Sequence, residues 1–291
     1  FVDSCNDVSM KYDHMCVVAA NGMLRCWGNN DHGQTGAEAG VQGETTELST
    51  LGQVIDVAVG KFHTCAIRST DGAVFCWGSN AGKTLGSEVL STHVPQRALT
   101  VNKRFNKIWA ADGQTCARDD DNHLYCWGYD QLPWLTGFSN VAKISLRLRG
   151  GCAIANNTEV YCWGENDFGQ LGDDSTVASD TPVYTELDDV ADISCHEKHC
   201  CACLLDGVTE CWGSNWYGKS GDFSNILLED TNIHTRPFTV RDVHCKSVHA
   251  TRDGACVAQE DGSIKCWGRG EFGAVGDNSE VTPTEPYTVA L

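Results

Sequence analysis

Short apolar runs with period-two alternation recur along the chain, each placed just upstream of a cysteine. Val54-Ile55-Asp56-Val57-Ala58-Val59 and Val141-Ala142-Lys143-Ile144-Ser145-Leu146 are two of them. Their alternation and β-branched content predict strands. A fixed cysteine signature follows each run. The tripeptide Cys-Trp-Gly occurs at 26–28, 76–78, 126–128, 162–164, 211–213 and 266–268, and a second cysteine precedes each copy at nearly constant distance. The pairs are Cys16/Cys26, Cys65/Cys76, Cys116/Cys126, Cys152/Cys162, Cys201/Cys211 and Cys256/Cys266.

Ten-residue spacing sets two cysteines opposite each other across a hairpin with an odd loop, most simply of three residues. Ala20-Asn21-Gly22, Leu205-Asp206-Gly207 and Glu260-Asp261-Gly262 supply such loops, each ending in the glycine that a left-handed last position favours. The second repeat is spaced by eleven and carries a four-residue loop, Ser69-Thr70-Asp71-Gly72. Asn122 is the tolerated substitute in the third repeat. Thr158 fits the slot poorly, so a shifted turn is expected in the fourth. Both registers leave the cysteines facing each other at bridging distance, which predicts six disulfides, each within one repeat.

Downstream, Asn30, Asn80, Asn166 and Asn215 stand four residues after the cysteine of Cys-Trp-Gly, and glycines follow. Proline-containing strands such as Thr181-Pro182-Val183-Tyr184 close the unit. About four strands in ~50 residues is the grammar of a propeller blade. The six tryptophans of the signature are expected in the core, between sheets.

The segments from His63 to Asn80 and from Val160 to Val183 resemble the regulator of chromosome condensation repeat family, specifically its secreted, cysteine-bearing branch. That branch includes the ectodomains of crinkly-type plant receptor kinases, and the propeller-type beta-lactamase inhibitor protein is similar. The resemblance covers nearly the whole chain. It implies an all-β protein with one propeller domain over 1–291, of six blades with seven as the alternative. It also implies that loops bind another protein outside the cell. The C-terminal strand is expected to complete the first blade and lock the ring.

Composition narrows the function. Among 291 residues, 39 are acidic and 21 basic, a net charge of -18. That balance argues against the nucleic-acid role of the family's nuclear founder. No apolar stretch is long enough to span a membrane. Seventeen cysteines point to an oxidising compartment, so the chain is expected to be a mature, secreted segment.

Function in a propeller lies in departures from the repeat. Trp134, with Tyr129 nearby, sits where the glycine pattern fails and the repeat shortens; Trp216 and Tyr217 share a loop. Exposed aromatics there suit a protein or glycan contact, and the irregular segments 83–96, 129–138 and 214–236 are the expected loop face. Trp109 is expected to be a buried strand residue.

Five cysteines fall outside the pairs: Cys5, Cys195, Cys200, Cys203 and Cys245. Cys5 and Cys245 hold equivalent positions and are expected to bridge, with Cys195–Cys245 the competing choice; an odd cysteine would offer a link into a larger assembly. The run from Cys195 to Cys203 has zinc-ligand residue types without a zinc spacing, so no metal is expected. Catalysis by Cys200 and His199 would need a free thiol. His199 aligns with His14 and His63 and is expected to be a hydrogen-bonded blade residue. Asp119-Asp120-Asp121 is expected to be a solvated hairpin tip, and Asn156 begins a sequon for an N-glycan. No catalytic constellation or cofactor motif is present, so no enzyme is expected.

Overall fold

A computed structural model describes residues 4–41, 43–98, 103–155, 158–224, 232–271, 275–276, 282–283 and 285–289; the side chains of 132–135 are outside the described set. The chain is all-β, with six four-stranded antiparallel sheets, each formed by consecutive strands. The first sheet holds β1 (Cys5–Lys11), β2 (His14–Ala19), β3 (Leu24–Gly28) and β4 (Thr46–Glu47). The second holds β5 (Val54–Val59), β6 (His63–Arg68), β7 (Val74–Gly78) and β8 (Thr92–Arg97). The third holds β9 (Phe105–Ala110), β10 (Gln114–Asp119), β11 (His123–Gly128) and β12 (Gln131–Ser139). The fourth holds β13 (Lys143–Arg147), β14 (Gly150–Ala155), β15 (Glu159–Gly164) and β16 (Ser179–Tyr184). The fifth holds β17 (Val190–His196), β18 (His199–Leu204), β19 (Val208–Ser214) and β20 (Ile233–His244). The sixth holds β21 (Ser247–Ala250), β22 (Gly254–Ala258), β23 (Ile264–Gly268) and β24 (Tyr287–Val289). Two compact units result, Phe1–Ser139 and Asn140–Leu291, of three sheets each.

The cysteine spacing translates directly into register. In the first unit Cys16 faces Cys26 across β2 and β3, Cys65 faces Cys76, and Cys116 faces Cys126. In the second unit Cys152 faces Cys162, Cys201 faces Cys211, and Cys256 faces Cys266. All six pairs are bridged, with Cα atoms 4.0–4.1 Å apart. The expected shift of the fourth hairpin does not occur. Ala155 still pairs with Glu159, and Thr158 is held at φ +135° in the slot that glycine or, in the third repeat, Asn122 fills elsewhere. The glycine of Cys-Trp-Gly answers a different need. At Gly28, with φ +108°, a Cβ would lie 2.3 Å from the carbonyl oxygen of Asp13, so no side chain fits where this strand passes the preceding turn.

The other edge of the signature strand is less regular. Cys76 pairs outward with Gln96, Cys162 with Val183 and Cys211 with Phe238, yet Gly78, Gly164 and Gly213 pair with Thr92, Ser179 and His234. Two steps along the signature strand therefore match four along the outer one. Pro95, Pro182 and Pro237 fall inside these bulges, where no ladder N–H is required of them.

Two expectations are corrected by the strand pairing. The C-terminal strand β24 pairs with β23 and completes the sixth sheet, while the first sheet has its own outer strand, β4. Each repeat therefore encodes its own four strands. The segment 129–138 is not an irregular loop. Tyr129 and Asp130, at φ +50° and +66°, form a two-residue turn leading straight into β12. Positive φ at both turn positions matches the twist of a tight hairpin. In the other repeats a long glycine loop occupies this place, so its loss accounts for the short third repeat.

Within each unit, neighbouring sheets are joined by a recurring set of hydrogen bonds. The indole N–H of Trp77 donates to the Gln34 carbonyl (2.9 Å) and that of Trp127 to the Thr84 carbonyl (2.9 Å). Trp212 and Trp267 likewise donate to the carbonyls of Gln170 and Lys219, both at 3.1 Å. Nearby, His14 Nε2 meets Thr64 Oγ1 at 3.1 Å and His63 Nε2 meets Thr115 Oγ1 at 2.8 Å. Burial holds both histidines below the usual range, His14 at about 4 and His63 at about 3, because neither ring can be hydrated when charged. On the inner strands, Asp7, Asp56 and Asp192 each accept the backbone N–H of a residue in the next sheet, namely Val57, Ile108 and Val248. Trp27 and Trp109 are only half-buried.

The asparagines four residues after four of the signature cysteines are loop staples. Buried Asn166 accepts from the Leu171 N–H (2.8 Å) and donates to the carbonyls of Ser175 and Val177. Asn30, Asn80 and Asn215 make the same bond from their side-chain oxygens to the N–H five residues on. One amide side chain thereby satisfies the polar backbone of a loop with no ladder of its own.

Candidate binding site

In an antiparallel four-stranded sheet, the turn between the first and second strands and the loop after the third lie at the same end. In the second unit that end gathers Glu197 and Lys198 from the β17–β18 turn, Arg252 and Asp253 from the β21–β22 turn, and Arg269 after β23. The loop after β19 adds the short 3-10 turn Trp216–Gly218 and buried Lys219. Trp216 and Lys219, with these five turn residues, line a cavity of about 110 Å³.

The aromatic residues there are tightly engaged. Trp216 and Tyr217 stack with ring centres 5.0 Å apart and planes 12° apart. The Lys198 ammonium lies 4.0 Å from the Phe168 ring centre and 6.0 Å from that of Trp216, while the Arg269 guanidinium lies 4.8 Å from Tyr217. Such cation–π contacts hold charge at the surface without neutralising it. Arg269 also pairs with Asp253 and Glu271. Tyr217 is conformationally strained in its position, at φ +61° and ψ 21°. The corresponding residue of the second repeat is Gly82, at φ +69°.

The remaining candidates lie elsewhere. Tyr129 is half-buried in the first unit, its ring against Gly113, and serves its own hairpin turn. Trp134 stands opposite Cys126 in β12, but its side chain is outside the described residues, as is Asn156. Segments 83–96 and 214–236 contain regular structure, β8 and the start of β20 among it.

Cysteine pairing outside the repeats differs from expectation. Cys245 bridges Cys203 rather than Cys5 or Cys195, and Cys195 bridges Cys200. Cys195 and Cys200 are direct partners across the β17–β18 hairpin, so their bridge follows from strand register. Val208 pairs with His244, which brings Cys245 beside the strands of the fifth sheet. Cys5 is exposed and is the free cysteine among the described residues. The sulfurs of Cys152, Cys195 and Cys200 lie close together, but all three are bridged and none offers a thiolate. His199 turns away to the Gly254 carbonyl at 3.1 Å. Its pKa falls well below the usual value, through burial first and then the nearby charges of Lys219 and His196. Asp119 is buried rather than solvated. Its carboxylate accepts the N–H groups of Asp121 and His123, and Lys103 lies 3.7 Å away.

The regulator of chromosome condensation (RCC1) repeat model matches residues 158–203, and a second model of that repeat matches 5–34 and 54–81. No curated protein sequence matches the chain. Among solved structures, Prp20p from Saccharomyces cerevisiae is similar with a TM-score of 0.79 at 18% identity, covering 98% of this chain and 76% of that one. Human WBSCR16 gives 0.77 at 15% identity, covering 100% and 83%. The CRINKLY WD40 ectodomain of the Arabidopsis thaliana receptor kinase ACR4 gives 0.55 at 18%, covering 99% and 98%. These likenesses carry the fold, a β-propeller built of six four-stranded blades. With the repeat matched in both units and the blades built as described, the chain carries RCC1-like repeats on a β-propeller fold.

Proposed function

We infer that the chain is an extracellular protein-binding module that uses the turn end of its blades, without catalysis. The stacked Trp216–Tyr217 pair carries this reading, because it departs from the repeat, is only half-buried and costs backbone strain to maintain. Aromatic residues flanked by cations are the composition of interface anchors. Yeast Prp20p is described by its binding to Gsp1p and histones and by a complex with Kap60, so proteins of this fold do bind other proteins. Eight disulfides and the receptor-ectodomain neighbour favour an oxidising, extracellular setting over a nuclear one. Among the described residues no helix is long and apolar enough to cross a membrane.

Affinity capture from the native extracellular fraction tests the reading. The wild-type chain should retain a partner protein that Trp216→Ala loses; equal capture by both would remove this pair as the anchor. The exposed Cys5 thiol favours a second reading, a disulfide-linked subunit of a larger assembly. Native material running at the same size with and without reductant would dismiss it.

A further inference from the structure

The cleft beside Trp216 carries a charge opposite to that of the chain. Its wall holds four basic side chains, Lys198, Lys219, Arg252 and Arg269, against two acidic ones, Glu197 and Asp253, whereas the whole chain stands at -18. Much of the local acid is already engaged, since Arg269 takes both Asp253 and Glu271. Arg252 is exposed and makes no ion pair or hydrogen bond among the described residues. Lys219 is 2% exposed, so its charge sits in the cleft wall with little water around it, where attraction to an incoming anion is weakly screened.

Trp216 adds an independent demand. Its indole nitrogen is buried and has no hydrogen-bond partner among the described residues, and an indole N–H can only donate. One incoming oxygen anion would meet both needs, as acceptor for the indole and as counter-charge for Arg252. The rings themselves are ill-suited to stacking a sugar, because they meet each other, Lys198 and Arg269. The cavity has room for a carboxylate and a few waters.

We propose that this cleft binds a carboxylate side chain on an acidic segment of the partner protein. Arg252 and Lys198 supply the charge, and the Trp216 indole donates to a carboxylate oxygen. The proposal rests on the reading of the chain as a protein-binding module and names the chemistry its partner presents.

Calorimetric titration of the intact chain tests it, with an acidic Asp/Glu decapeptide and with the same peptide bearing Asn and Gln instead. The wild type should bind the acidic peptide at least tenfold more tightly, with an affinity that falls as salt rises. The Lys198→Ala/Arg252→Ala variant should lose at least tenfold, while Arg97→Ala, an exposed change in the other unit, should lose nothing. Both cleft side chains are surface groups, so folding is checked by an unchanged unfolding midpoint. No binding by the wild type, equal binding of the two peptides, or full affinity in the double variant would each overturn the proposal. So would tighter, variant-sensitive binding of a heparin-derived oligosaccharide, which would hand the cleft to a sulfated glycan. The double variant also separates the two readings: if it still captures the partner that Trp216→Ala loses, the carboxylate site fails and the module stands.

Discussion

Tyr217 stacks on Trp216 while holding a left-handed backbone that its counterpart Gly82 adopts without cost. A non-glycine residue in that region carries roughly 1–2 kcal/mol of strain. Tyr217→Gly should therefore leave the unfolding free energy unchanged or raise it by up to about 1 kcal/mol, and weaken partner capture. Urea denaturation beside the capture assay reads both. A marked loss of stability would mean that the ring is there to hold the blade.

Asn166 makes the opposite kind of contribution. Its buried side chain satisfies the Leu171 N–H and two loop carbonyls, so Asn166→Ala leaves them without partners. The expected cost is about 2–3 kcal/mol, with new protease cleavage between 166 and 178. Cleavage elsewhere, or none, would show that the loop does not depend on its staple.

Acid should destabilise the fold through its buried histidines. The folded pKa values of His14 and His63 lie near 4 and 3, below the ordinary 6.5, and that of His199 is also lowered. The unfolded chain thus binds more protons just below pH 6.5, and stability falls from there toward pH 4. Asp56, raised to about 6 mainly by burial, works in the other direction between pH 6 and 3.8. The clean measurement is a comparison of melting temperature against pH for wild type and His63→Gln. The variant should show the shallower decline; parallel curves would remove His63 from the acid response.

Thiol titration of denatured, unreduced protein should find one free thiol, that of Cys5, since the other sixteen cysteines are bridged. The Cys203–Cys245 bridge spans 42 residues against ten for Cys256–Cys266. Loop-closure entropy then predicts that replacing both its cysteines by alanine costs about 4 kcal/mol, compared with about 3 for the shorter bridge. A reversed order in denaturant midpoints would contradict that account.

Local spacing is readable because hairpin register is arithmetic. Ten residues with a glycine at the turn place Cys16 against Cys26, and the count carries over to Cys152/Cys162 and Cys201/Cys211. With one residue more in the loop it also places Cys65 against Cys76. What depends on distant segments is not readable. Cys245 and Cys5 look equivalent by position, yet Cys245 lies beside Cys203, a cysteine with no counterpart in other repeats. The missing glycines of the short third repeat are plain in the sequence, but they suggest a loop where Tyr129 and Asp130 make a tight turn. The basic cleft is invisible for a related reason. Lys198, Lys219, Arg252 and Arg269 stand on four separate turns, and only strand pairing brings those turns to one end. Comparing residues at equivalent turn positions across the repeats is the available signal.

Four signature tryptophans, Trp77, Trp127, Trp212 and Trp267, reach back to a carbonyl in the repeat before them, whereas each asparagine staple stays inside its own repeat. A repeat is thus a part with one plug and one socket. Copying such a part in frame adds a blade whose plug finds a ready socket and whose socket awaits the next plug. Lineages built this way can vary in blade number by simple duplication or loss, while the turn-end residues diverge freely to suit new partners.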